Sequence, residues 1–300
     1  MSPSFGAIAR TGRGCYKRSV TPAESENALE VFRRAVSVPE QGLDLVEGAL
    51  LIAQAEYPHL DRSACRGQLE EMGREAREVC AREPWAIASE RLEKLSRLFS
   101  ERWGFRGNRD DYYDPRNSFL NDVLDRRTGI PIALSLVYIE LGRHAGLDLV
   151  GIGMPGHFLV GCAGRDDLFV DAFSEGTLLT RADCAARLRE LQPEAVFRPE
   201  FLNPVGPRQI LARMLNNLLE IYLRTERHSK ALASLEMILC LQPEEPAWLR
   251  RRALLHHQLK HYSRAIADLE SYLERVPEAP DREELARQLT VLQHLRSMVN

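Results

Sequence analysis

The sequence predicts an α+β protein: a helical N-terminal region, a small core with an antiparallel sheet, and C-terminal α-helical repeats. Three observations carry this. Apolar residues recur at helical spacing from Thr21 to Trp103. Leu149–Gly153, His157–Cys162 and Leu168–Phe173 read as short strands separated by turn residues. The stretch HSKALASLE (His228–Glu236) returns as YSRAIADLE (Tyr262–Glu270), 34 residues later.

In chain order, Met1–Val20 holds Arg10, Arg13, Lys17 and Arg18 and no acid. Residues 1–22 read as a disordered basic tail, because no apolar helical face is visible; a transit peptide is the alternative. Thr21-Pro22 with Glu24 then opens a helix, with a cap, a first-turn proline and an acid near the N-terminal dipole. Leu29, Phe32 and Val36 form its face. A second helix, Gly42–Ala55, presents Leu43, Val46, Leu50 and Ala53, and Tyr57-Pro58 stops it. Further helices are expected over Ser63–Arg82 and Pro84–Ser100, the latter with Ala88, Leu92, Leu95 and Phe99 on one side. Residues 23–103 thus read as a helical platform.

Residues 104–197 form the predicted core. Gly104–Asn117 is loop-like, and Ser118–Arg127 reads as a short helix with Phe119, Val123 and Leu124 inward. Gly129-Ile130-Pro131 opens the central helix, where a proline is tolerated because first-turn N–H groups have no intrahelical partner. Leu134, Val137, Tyr138 and Leu141 make its buried stripe, and Gly146 ends it. If Cys162 faces Leu168 across the hairpin, Leu159 faces Asp171 and His157 faces Phe173. His157 and Asp171 are then diagonal neighbours on one face. Arg181–Phe197 is a helical tail, and residues 198–206, with Arg198-Pro199 and Asn203-Pro204, read as a linker.

Residues 207–300 hold the repeat. The 34-residue offset relates Ala231 to Ala265, Leu235 to Leu269 and Pro243 to Pro277. Small residues where two helices cross, followed by a proline, are the tetratricopeptide signature. Asp281–Met298 serves as the capping helix that such an array needs.

Composition excludes several classes of function. Hydrophobic content of 44% with 28% charged residues describes a globular protein, and a net charge of −3 gives no field that would draw nucleic acid. The longest apolar run, Gly129–Ile139, is too short to span a bilayer and meets Glu140 at once. The six cysteines are scattered without a C-x-x-C pair, which argues against a zinc site or disulfide framework and for reduced thiols in the cytoplasm. His257 and His261 share a helical face, but no carboxylate or cysteine completes a ligand set, so packing is the reading for them and for His256. No metal and no cofactor is expected.

The candidate site is His157 with Asp171. Cysteine-dependent acyl transfer needs a thiolate at a helix N-terminus, a histidine to share the proton, and a carboxylate to orient the histidine. His157 and Asp171 supply the last two parts. The helix begins at Pro131, flanked by Ile130 and Ile132, and none of these is a nucleophile. Cys162 points to the opposite strand face from His157. Ser135 lies one turn past Pro131, where a hydroxyl usually bonds its own backbone.

The motifs DPRNSFLN (Asp114–Asn121), RRTGIP (Arg126–Pro131), PGHF (Pro155–Phe158) and VDAF (Val170–Phe173) stand in this order before the repeats. In them the chain resembles the bacterial SirB-type proteins, which join a transglutaminase-like core to C-terminal tetratricopeptide repeats. The resemblance implies a papain/transglutaminase-like core. In the wider transglutaminase-like superfamily it implies a Cys-His-Asp triad, whose cysteine would fall at Pro131, histidine at His157 and aspartate at Asp171. The SirB-type branch itself shows proline at the first position, so thiol catalysis is in doubt for the whole branch and the chain reads as a pseudoenzyme.

Two readings of the pair stand: a buried hydrogen bond that locks the sheet, or a retained binding cleft. Asp114, Arg116, Asn117, Arg126 and Arg127 either line that cleft or cap the two helices, with Asn117 at a capping position. Arg250, Arg251 and Arg252 either clamp an acidic peptide or form a solvated face. The expected function is a non-catalytic scaffold that binds a protein or peptide partner through the repeats in a regulatory role. The alternative is an amidase, peptidase or acyltransferase that uses His157 and Asp171 with water or a substrate-borne nucleophile.

Overall fold

A computed structural model describes residues 22–81 and 87–299. The basic tail, the Thr21 cap and the Pro84 helix start lie outside the described residues. The N-terminal region is α1 (Pro22–Val36), α2 (Leu45–Glu56), α3 (Arg62–Ala81) and α4 (Ala88–Arg97), with a π-turn over Leu98–Arg102. Asp44 starts α2 by accepting a bond from the Glu47 amide at 2.9 Å, so this helix begins three residues after the expected Gly42. Its burial also differs from a one-sided platform. Val46, Gly48 and every residue from Ala49 to Ala53 are buried, because α1, α5 (Leu120–Arg126) and the first repeat helix α8 (Pro207–Arg224) surround it. A helix apolar all round is a central one.

The core is built on α6 (Pro131–His144), whose Leu134, Val137, Tyr138 and Leu141 are fully buried. Ile130 is the residue before the helix and Pro131 its first position; Gly146, at φ +72°, turns the chain out of it. Five strands form one antiparallel sheet in the order β6-β5-β4-β3-β7: β3 (Leu149–Ile152), β4 (Leu159–Cys162), β5 (Phe169–Asp171), β6 (Thr177–Leu179) and β7 (Pro204–Val205). Val160 pairs with Val170 and Gly161 with Phe169, the register expected from the sequence. The strands are shorter than expected, and His157 sits in the turn before β4. Val160, Cys162 and Val170 pack towards α6, whereas Leu159, Phe169 and Leu179 pack with Cys184 and Leu188 of α7 (Arg181–Leu191). That alternation is the two-residue period of a sheet covered on both faces.

Two short pieces read as loop or linker are structured. β1 (Arg106–Gly107) pairs in parallel with β2 (Thr128–Gly129), just before α6. Within the stretch expected to be a linker, Pro204 and Val205 pair with Ile152 and Gly151. A proline is accommodated there because β7 is an edge strand.

The repeats are α8, α9 (His228–Leu241), α10 (Ala247–Gln258) and α11 (Tyr262–Arg275), with α12 (Arg282–Val299) as the cap. Both ends of α9 recur 34 residues later in α11. The turns recur as well: Glu226 (φ 54°) and Lys260 (φ 60°) are left-handed, and the Arg227 and His261 amides donate to the Tyr222 and His256 carbonyls at 2.8 Å. The array does not stand apart. Leu211, Leu215, Leu218 and Leu235 share one apolar cluster with α1, α2 and α6, and Glu56 of α2 pairs with Lys230 at 2.5 Å.

Candidate functional site

Asp171 ends β5 with its carboxylate turned into its own following turn. One oxygen, Oδ1, accepts from the Phe173 and Ser174 amides, each at 3.1 Å. The other, Oδ2, accepts from the Ser174 hydroxyl at 3.0 Å and lies 3.0 Å from His157 Nε2 and 3.5 Å from Arg187 Nη1. Burial pushes the carboxyl pKa up, but the donors from His157 and Ser174 overcome it and hold the group below the ordinary aspartate range. The oxygen lies off the ring N–H axis of His157, so the short approach is an electrostatic contact more than a linear hydrogen bond. Only 5% of the His157 side chain and none of Asp171 is exposed.

The turn carrying Asp171 is stitched to the start of α6. The Phe173 carbonyl accepts from the Gly107 amide at 3.1 Å, and the Phe173 ring meets the His157 ring edge-on at 6.2 Å. From Gly107 the connection runs through β1 and β2 to Ile130, whose amide donates to the Asn117 carbonyl at 3.1 Å. Glycine is needed at position 107 because a β-carbon would strike the Phe173 ring and carbonyl oxygen.

Asn117 is not a helix cap, which corrects the capping expectation. Asp114 caps the 3-10 turn Pro115–Asn117, and Phe119 precedes α5. Asn117 is wholly buried, donates to the Asp111 and Tyr112 carbonyls at 2.7 and 3.2 Å, and accepts from Asn108 at 3.0 Å. It therefore fixes the 108–117 loop against the start of α6. Arg116 is committed to Asp114, with Nε–O distances of 2.9 and 3.0 Å. Arg126 Nη1 approaches the same carboxylate at 3.5 Å. Burial raises the Asp114 pKa, but the bonds from Arg116 outweigh that and bring it down. Arg127 ends α5 in a left-handed conformation (φ 57°), with its guanidinium 4.8 Å over the Phe105 ring. Burial there lowers its pKa.

The structure thus joins His157 to Asp171 and links their turn to Pro131 through backbone. It gives Arg116, Asn117 and Arg127 intramolecular roles. Arg250 and Arg251 lie on α10, away from this turn in the fold, and each pairs with a carboxylate of the same chain: Asp281 and Glu220, both at 2.5 Å. Arg252 grips Asp268 with two bonds, 2.8 and 2.6 Å. His256, in the repeat position of Tyr222, is buried as Tyr222 is.

Residues missed in the sequence are Ser174 and Arg187; Phe173, placed opposite His157 by the expected register, does meet its ring. Ser174 carried a signal: an aspartate followed by a serine three residues on is a turn in which the carboxylate caps local amides. Nothing local marked Arg187. Ser135 is fully buried in α6, and its hydroxyl has no hydrogen-bond partner among the described residues.

The chain matches the transglutaminase-like superfamily over residues 63–216 and the tetratricopeptide repeat over residues 218–290. The first match ends inside α8. A UPF0162 protein of Xylella fastidiosa is 36% identical over 258 residues, covering 83% of this chain and 90% of the relative. A UPF0162 protein of Vibrio cholerae is 32% identical over 255 residues, 84% of this chain and 93% of the relative. F-box only protein 21 of Mus musculus is 30% identical over 185 residues, which is 58% of this chain and 29% of that protein.

Proposed function

Because the chain belongs to the UPF0162 family, a transglutaminase-like core followed by tetratricopeptide repeats, we propose that it is a non-catalytic scaffold that binds a protein or peptide partner. One observation carries this reading: Pro131, a buried residue without a nucleophile, is the first residue of the helix where the superfamily's motif order puts the thiol. The nearly sealed His157 ring agrees with it. The five described cysteines stand elsewhere, and burial pushes each of their pKa values up, Cys184 to about 12. A thiol so held is not a nucleophile near neutral pH.

The partner surface in this reading is the outer stripe of α10. Ala247, Arg250, Leu254 and His257 are exposed at helical spacing, and Leu254 is half exposed between charged and polar neighbours. Stacked helix pairs present such stripes to peptides. The test is quantitative affinity capture, after in-cell crosslinking in the native organism, with wild type, Leu254→Glu and His157→Ala, all matched for melting temperature. The same partner should be enriched by wild type and His157→Ala and lost with Leu254→Glu. Unchanged capture by Leu254→Glu would overturn the assignment of the surface.

A second reading rests on the pair itself. An ionised carboxylate 3.0 Å from an imidazole is the orienting half of a general base. In that reading the protein is an amidase, peptidase or acyltransferase that activates water or a substrate-borne nucleophile. Turnover of any ester or amide substrate by wild type, lost in His157→Ala, would establish it and sink the non-catalytic reading.

A further inference from the structure

We propose that Arg213, on the first repeat helix, is the positioning residue for His157, so that the repeat array is a built-in part of the His157–Asp171 site. This deepens the scaffold reading by naming what holds the frame. The Arg213 guanidinium reaches from α8 into the β3–β4 turn. Its Nη1 donates to the Gly153 carbonyl at 2.8 Å, and Nη2 donates to the Met154 and His157 carbonyls at 3.1 and 3.3 Å. The same group lies 5.4 Å over the ring of Phe158. Three carbonyls of one five-residue turn therefore converge on a single side chain from another part of the chain.

The hydrogen-bond partners of Arg213 among the described residues are carbonyls and include no carboxylate, and burial lowers its pKa. A desolvated cation facing carbonyl oxygens is held by their dipoles, so its bonds stiffen the turn. The turn has few bonds of its own: the His157 amide donates to the Met154 carbonyl at 3.1 Å. His157 stands in this turn, outside the regular ladder of β4, so its ring position depends on the turn's geometry.

A second observation comes from the glycines that flank Ile152. A β-carbon on Gly153 would press into the Arg213 guanidinium, and one on Gly151 would lie 2.9 Å from Ile210 and 2.8 Å from the Phe158 ring. Both glycines leave room for α8 to lie against the turn, and both contacts come from the first half of α8. The edge strand β7 leads straight into that half, two residues ahead of Pro207. The helix that starts the repeat array is therefore anchored to the sheet at its N-terminus and to the His157 turn nearly two helical turns further on.

The test uses the full chain without any partner, labelled with nitrogen-15 at its eight histidines. The His157 ring signals are identified by their loss in His157→Gln, and Asp171→Asn supplies the signature of a ring that has lost its carboxylate. In Arg213→Met the His157 ring nitrogens should move at least halfway towards that signature, while the histidine signals of α10 and α12 stay in place. Arg213→Lys, which keeps the charge and part of the donor set, should fall between wild type and Arg213→Met. Gly153→Ala, which displaces the guanidinium without removing it, should shift the same signals in the same direction. Should Arg213→Met fail to fold, the latter two variants carry the comparison. His157 signals that coincide with wild type in the folded variants would overturn the proposal. That outcome is separate from the fate of the scaffold reading, which stands or falls on partner capture and not on the ring.

Discussion

Placing a thiol at position 131 tests whether the His157–Asp171 frame is that of a cysteine enzyme. In Pro131→Cys the new side chain occupies the first position of α6, where the helix dipole favours an anion. If His157 also faces it, the thiol pKa should fall from about 8.5 to near 7. About half of it would then be ionised at pH 7, against ~3% of an ordinary thiol, a difference of about 16-fold. The thiolate is read directly from its far-ultraviolet absorbance as pH is raised. The background is low, because burial raises all five described thiols, with Cys65 pushed to about 11 and Cys184 to about 12. Cys15 lies outside the described residues and is replaced by serine. Adding His157→Ala should raise the midpoint by about one pH unit or more, because the group that would share the thiol's proton is gone. A midpoint at or above the ordinary thiol value, or one indifferent to His157→Ala, refutes the frame and leaves a buried pair that serves the sheet alone.

Four further outcomes follow from the geometry. Asp171→Ala removes the acceptor of two backbone amides and a serine hydroxyl and should cost about 2–4 kcal/mol in urea unfolding. The Asp171 and Asp114 pKa values are depressed in the fold, so their stabilisation is present above the unfolded value of about 3.9 and is lost as pH falls through the folded values; Asp114→Asn should flatten part of that acid limb. His256 is depressed to about 4 by burial, against Asp268, which favours its charge, and Arg252, His261 and Arg264, which oppose it. Stability is then full above pH ~6.5 and falls by up to about 3 kcal/mol as pH drops to ~4, and His256→Phe should abolish that slope in melting experiments. Gly107→Ala should displace Phe173 and cost about 1–3 kcal/mol, read as a lower melting temperature with broadened His157 signals.

How much of this was legible depends on whether the constraint is local. The repeat was, because tetratricopeptide helices impose the same spacing twice, and α9 and α11 begin and end 34 residues apart. The β4–β5 register was, because turn length and facing fix each other, and Val160 opposite Val170 follows. Pro131 as the start of α6 was, through the chemistry of proline. The strands β1, β2 and β7 were not: two residues carry no period, and their pairing is decided by distant partners. Asn117 was misread because an asparagine beside a serine looks like a cap, whereas here its amide secures a loop from within. The charges of Arg116, Arg250 and Arg251 were legible in the sequence, but their carboxylate partners in space were not.

The retained pair does not by itself argue for retained chemistry. Asp171 would be needed even without His157, since two amides and a hydroxyl donate to its fully buried carboxylate. His157 in turn fills the space beside Phe173, whose carbonyl ties the turn to β1 and so to the start of α6. A chain with proline at position 131 therefore still has a structural reason to keep both residues. The position that catalysis alone would defend is 131, and there the chain carries the residue best suited to starting a helix. Whether His157 has any freedom beyond its structural contacts is thus a question about the frame, apart from partner capture and turnover, which decide between scaffold and enzyme. The thiol titration and the Arg213 variants probe that freedom from opposite sides, one from α6 and one from α8.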